Sequence, residues 1–234
     1  MHGKTLLVVG GRSGIARQIA TEAAAAGAAV VMAGRDPSAL AVPPTPQGQI
    51  SVARVDLGDE ESIRELADRI GTVDYVVSSA ASPANGPVTG VERDAVLRAF
   101  DAKVFGPLLL AKHLAPRMAP DGAMVFLAGI VAWRPSAGKT VTAAANGAVS
   151  FLASALAVEL APIRVNAISP GIVDSGAWDG LGEGKEQLFA KTAAKVPAGR
   201  VGQPADISAA ALLALTNPFL TGETLHVDGG ARWV

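Results

Sequence analysis

The stretch Thr5-Leu6-Leu7-Val8-Val9-Gly10-Gly11-Arg12-Ser13-Gly14-Ile15-Ala16 decides the fold. A short apolar run passes into a glycine-rich turn, and the turn opens an alanine-rich helical segment, Gly14–Ala26. A strand feeding a helix through such a turn is the opening of a strand–helix–strand unit. Gly10 permits the tight turn, Gly14 lets main chain approach a bound group, and Ala16 lets the helix sit close to the sheet. The free N–H groups and positive dipole end of that helix suit an anion such as a pyrophosphate.

The same alternation continues along the chain. Candidate strands are Thr5–Val9, Ala29–Ala33, Ile50–Val55, Val73–Ser78, Ala123–Ala128, Ile163–Ile168 and Thr224–Val227. Most are apolar without polar alternation, as strands read when helices cover both faces of a parallel sheet. Candidate helices are Gly14–Ala26, Asp59–Ile70, Val91–Ala115, Ala143–Leu160 and Pro204–Leu215. The pattern predicts an α/β fold with one doubly wound sheet of about seven strands, a single domain over residues 1–234. Two segments break the rhythm. Asp36–Gln49 carries four prolines and reads as a turn and loop. Ile172–Pro197 is rich in glycine, has a possible short helix around Lys185–Ala193, and is expected to act as a lid.

Composition removes other classes. The 234 residues carry 20 basic against 21 acidic side chains, a net charge of −1, so no basic field exists for nucleic acid. There is no cysteine, and three scattered histidines (His2, His113, His226) argue against a metal centre. The N-terminal apolar run is too short for a signal or a span, and no uninterrupted apolar stretch of about 20 residues is seen elsewhere. The expectation is a soluble, cytoplasmic protein with no membrane partner.

The end of the second strand, Ala33-Gly34-Arg35, bears on the cofactor. A site for NAD commonly has a carboxylate here, on the ribose 2′-hydroxyl. Arg35, with Arg12 from the first loop, instead suits the 2′-phosphate of NADP(H). Asp36 is the contrary sign. Asp56, closing the third strand, is a candidate acceptor for the adenine amino group.

The chain resembles the short-chain dehydrogenase/reductase family along essentially its whole length. The matching residues are Gly10, Gly14 and Ala16 in the first loop, Val55-Asp56-Leu57, and the strand Asp74–Ser78. They continue with Arg164-Val165-Asn166-Ala167-Ile168-Ser169-Pro170-Gly171, Arg200-Val201-Gly202-Gln203-Pro204, and Thr221-Gly222-Glu223 through Val227-Asp228-Gly229-Gly230. The resemblance implies a Rossmann-like fold, a nicotinamide cofactor, and commonly a homodimer or homotetramer. Cofactor contacts are then expected from Gly10, Arg12, Ser13, Gly14, Ile15, Arg35, Asp56, Leu57, Ser79, Ala80, Asn146, Pro170, Gly171, Ile172 and Ser175.

In that family an Asn–Ser–Tyr–Lys set performs carbonyl reduction or alcohol oxidation. The flanking matches put Lys103 in the asparagine position, Gly129 in the serine position, Thr142 in the tyrosine position and Asn146 in the lysine position. The only tyrosine, Tyr75, begins the fourth strand, away from the site. Lysine can donate a proton when burial lowers its pKa. Lys103, Thr142 and Asn146 are therefore the candidate catalytic residues, with a water or the substrate's own acidic group as alternative donors. Trp133 and Trp178 are candidate walls for an apolar or aromatic substrate. Two functions stay open: an NADP(H)-dependent oxidoreductase acting on a carbonyl or alcohol with a non-standard proton donor, or an inactive NADP(H)-binding homologue serving as redox sensor or scaffold.

Overall fold

The computed structural model describes residues 1–10, 14–40, 42 and 49–234. Seven strands form one parallel sheet: β1 (Thr5–Val9), β2 (Ala29–Gly34), β3 (Ile50–Arg54), β4 (Val73–Ser78), β5 (Met118–Leu127), β6 (Arg164–Pro170) and β7 (Thr224–Val227). Their spatial order is β3-β2-β1-β4-β5-β6-β7. All seven expected strands are present; β5 begins five residues early, because Met118 still pairs with Val73 across an irregularity in β4.

Seven helices cover the sheet: α1 (Gly14–Ala25), α2 (Glu60–Ile70), α3 (Arg93–Phe100), α4 (Gly106–Leu114), α5 (Thr140–Glu159), α6 (Gly184–Ala193) and α7 (Pro204–Thr216). Alternate residues of each strand face opposite layers. Leu6 and Val8 of β1 pack with Ile19, Ala20 and Ala23 of α1 and Ile207 and Ala211 of α7. Leu7 and Val9 face the other layer, with Ile63 of α2, Leu110 of α4 and Val149 of α5. Both sheet faces are dry, which is why the strand sequences lack polar alternation.

Two corrections to the sequence reading follow, and one expectation holds. The long helix expected over Val91–Ala115 is interrupted by a π-helical turn, Asp101–Phe105, between α3 and α4. The proline-rich segment opens with the expected turn, a 3₁₀ turn at Pro37–Ala39 capped by Asp36. Its remainder falls mostly outside the described residues. Finally, α5 is long and apolar enough to cross a membrane by length and composition, where no such stretch was expected. Alanines and a lone terminal charge, Glu159, give it that character. In the fold it lies on the sheet, with Val149, Ala153 and Leu156 in the core.

Candidate active site

Strand order reverses at β1: the chain steps to β2 on one side and β4 on the other. Such a switch point opens a crevice at the carboxyl ends of the strands. Gly10 sits there with φ +93°, and a Cβ on it would lie 2.6 Å from the Ala80 nitrogen. Only glycine fits, so β1 and β4 can close on each other. Ser79 locks this junction: its hydroxyl donates to the carbonyls of Gly10 (2.7 Å) and Val9 (3.2 Å). Gly171 is constrained in the same way, since a Cβ would meet the Asp228 Cα at 2.9 Å. The Pro-Gly turn after β6 and the Asp-Gly-Gly turn after β7 are thus one packed unit.

Beside this crevice lies a cavity of about 290 Å³. Ile15, Lys103, Thr142, Asn146, Pro170, Gly171 and Ser175, all expected site residues, line it together. Trp178 completes a mainly apolar wall, with its indole N–H donated to the Val173 carbonyl at 3.1 Å. No tyrosine borders the cavity; Tyr75 is buried in the core.

Lys103 reaches the cavity from the π turn. Its Nζ donates to the Leu127 carbonyl, and to that of Ala128 at 3.4 Å, at the end of β5. Among the described residues no carboxylate pairs with it. Burial alone pulls the ammonium from its ordinary 10.5 down to about 8. The group can therefore give or take a proton near neutrality.

Thr142 and Asn146 lie one turn apart on α5. The Thr142 hydroxyl donates to Asn85 Oδ1 at 3.0 Å, a partner the sequence reading did not single out. That bond turns the hydroxyl proton away from any ligand. Asn146 is 4% exposed, and its Oδ1 has no hydrogen-bond partner among the described residues. Its Nδ2 lies 2.9 Å from where a Gly129 Cβ would stand. Gly129 and Asn146 are therefore interlocked: the amide fills the space a serine side chain would need.

Other expected residues fall outside the cavity. The Leu57 side chain is buried in the core, 2.7 Å from where a Gly106 Cβ would stand. Ile172 lines a neighbouring cavity of about 120 Å³ instead. Asp56 Oδ1 accepts from the Gly58 N–H at 3.1 Å, a local turn. Arg35 is exposed at the end of β2. Asp36 Oδ1 is engaged by Ser38, both through N–H (3.0 Å) and hydroxyl (2.6 Å). Arg12 and Ser13 lie outside the described residues. The Gly14 N–H donates to the Ser175 carbonyl at 2.8 Å, tying the helix start to the glycine-rich segment after β6. Trp133 misses the cavity and stands edge-on to His226, ring centroids 4.5 Å apart.

The family model for enoyl-(acyl carrier protein) reductase matches residues 9–232. The chain belongs to the short-chain dehydrogenase/reductase family. It is 31% identical to sorbitol dehydrogenase of Cereibacter sphaeroides, over 100% of this chain and 99% of that one. A small-chain dehydrogenase solved in complex with NADPH is 32% identical, with a TM-score of 0.84 and 99% of both chains covered. A short-chain oxidoreductase from Pseudomonas aeruginosa PAO1 with an atypical catalytic center is 26% identical, with a TM-score of 0.89 over 97% of this chain and 96% of that one. Short-chain dehydrogenase/reductase proteins use a nicotinamide cofactor, and at the switch point of this chain Gly10 and Gly171 admit no side chain, because the backbone of Ala80 and of Asp228 stands there.

Proposed function

We propose that this protein is an NADP(H)-dependent oxidoreductase of the short-chain type, interconverting a carbonyl compound and its alcohol with Lys103 as the proton donor and acceptor. The observation that carries the reading is a lysine, free of any carboxylate and with pKa lowered to about 8, on the wall of an apolar cavity beside the cofactor cradle. Gly10, Gly14, Ile15 and Pro170 through Ser175 would hold the dinucleotide, with Arg35 on a 2′-phosphate. The reduced nicotinamide supplies the hydride. Two of the tetrahedral positions on Lys103 Nζ are taken by the Leu127 and Ala128 carbonyls and a third by Cε. The fourth carries the remaining ammonium proton, which Lys103 donates to the substrate oxygen as charge develops there. Thr142, its own proton held by Asn85, serves as an acceptor that orients substrate.

A second reading keeps the cofactor and omits the chemistry: a binding homologue acting as sensor or scaffold. It is favoured by Thr142, Gly129 and Asn146, which replace the family's phenol, hydroxyl and ammonium. Exposed Phe105, Phe151, Val158 and Trp233 are consistent with a homo-oligomer under either reading.

The test has two steps. Fluorescence titration should give tighter binding of NADPH than NADH; no binding of either removes both readings. A panel of ketones and aldehydes with NADPH should then give turnover that Lys103→Ala suppresses. Binding without turnover across the panel selects the sensor reading.

A further inference from the structure

The geometry of Lys103 also suits covalent chemistry. When the amine is neutral, its two N–H groups satisfy the Leu127 and Ala128 carbonyls, and the fourth tetrahedral position is a lone pair. The two acceptors fix the nitrogen at the end of β5, and no carboxylate is near to hold it as ammonium. Around it the cavity is lined by Ala99, Ala128, Ala145, Val173 and Trp178, an apolar surface that suits an apolar carbonyl compound. No other lysine is placed like this. Lys4 is paired with Asp74 and Asp121, Lys112 with Glu60, and Lys185 with Asp174 and Asp179. Lys191 and Lys195 are exposed, and Lys139 sits at the start of α5.

We infer that Lys103 is a nucleophilic amine that forms an imine with aldehydes entering this cavity, an amine chemistry independent of hydride transfer. The inference rests on the proposed acceptance of carbonyl compounds by the pocket. The lone pair attacks the carbonyl carbon to give a carbinolamine. A proton taken up from solvent goes to the carbinolamine hydroxyl, and loss of water, carrying away the carbonyl oxygen, leaves a protonated imine. Its remaining N–H stays on a β5 carbonyl, so the cation formed is met by an acceptor already in place. Burial, which favours the neutral amine, makes the nucleophile available near neutral pH.

The experiment uses the full chain without any nicotinamide. It is treated at pH 7.5 with benzaldehyde and sodium cyanoborohydride, which reduces an imine to a stable secondary amine. Peptide mass mapping then follows each lysine in time. The expected result is one benzyl group at Lys103, acquired at least ten-fold faster than at Lys191 or Lys195. Lys103→Arg should abolish that fast label and leave the slow ones. Labelling of Lys103 no faster than of Lys191 and Lys195 in the folded wild type overturns the inference, and needs no variant that folds. The two proposals fail separately. Trapping without NADPH turnover retains the imine and removes the reductase; turnover without trapping does the reverse.

Discussion

The two ends of the site are built on different principles. At the switch point, steric necessity dictates sequence: Gly10 and Gly171 are glycines because backbone from β4 and from the turn after β7 occupies the place of a Cβ. In the cavity, contacts between side chains and main chain shape the site instead. Lys103 reaches in from a π turn, and the Asn146 amide fills the space in front of Gly129. The difference teaches that backbone packing fixes residue identity at the switch point, whereas in the cavity residues are fixed in pairs, as Gly129 is by Asn146. Single π turns inside α-helices recur at functional sites, and here the turn carries Lys103, a half-buried lysine that lines the pocket.

The contrast can be broken most forcefully at Gly10. A Gly10→Ala change adds positive-φ strain of roughly 1–3 kcal/mol to a backbone clash, so NADPH binding should weaken about 100-fold in a fluorescence titration. Near-normal binding would mean that the cradle is not where the cofactor lies.

The interlock comes next. Gly129→Ser inserts a side chain against Asn146 Nδ2 and should destabilise the fold by about 1–3 kcal/mol in urea denaturation. Adding Asn146→Ala should recover most of that loss. If the two changes are simply additive, the positions are independent and the set is not one unit.

Arg35→Ser sharpens the cofactor side. Losing one charge-assisted bond of about 1.5 kcal/mol should weaken NADPH about ten-fold and leave NADH unchanged. Equal loss for both would assign Arg35 no part in a 2′-phosphate site.

A pH-dependent effect of similar size concerns Lys103. Lys103 has a folded pKa near 8 against 10.5 for an ordinary lysine. Between those values the unfolded chain binds more protons, so this residue makes the fold more stable as pH rises from about 8 to 10.5. Wild type should therefore gain stability relative to Lys103→Met between pH 7.5 and 9.5. A flat difference would show that the lysine is not desolvated.

Much of this was legible in the residues, for physical reasons that also mark the limit. All seven strands were read from apolar runs, since a sheet covered on both faces leaves no polar positions. The cradle was read from Gly10 and Gly14, whose role depends on neighbours in sequence. What escaped depends on contacts between distant segments. Leu57 sits next to Asp56 in the chain, yet its side chain turns into the core beneath Gly106. The Gly129–Asn146 contact bridges a loop and a helix, so the two read separately as unrelated substitutions. Lys103 was found, but the carbonyls that hold it belong to β5 and required the sheet to be assembled. The two tryptophans parted for the same reason: Trp178 reaches the cavity, while Trp133 packs against His226 from the last strand.

The most direct test of the central claim is the pH dependence of kcat/KM for carbonyl reduction with NADPH, in wild type and Lys103→Ala. The account predicts that wild-type reduction falls as pH rises through about 8, where the ammonium loses its proton, and that the variant is slower by roughly 10²–10⁴ with that step gone. Reduction by Lys103→Ala at the wild-type rate, with the same pH profile, would contradict it.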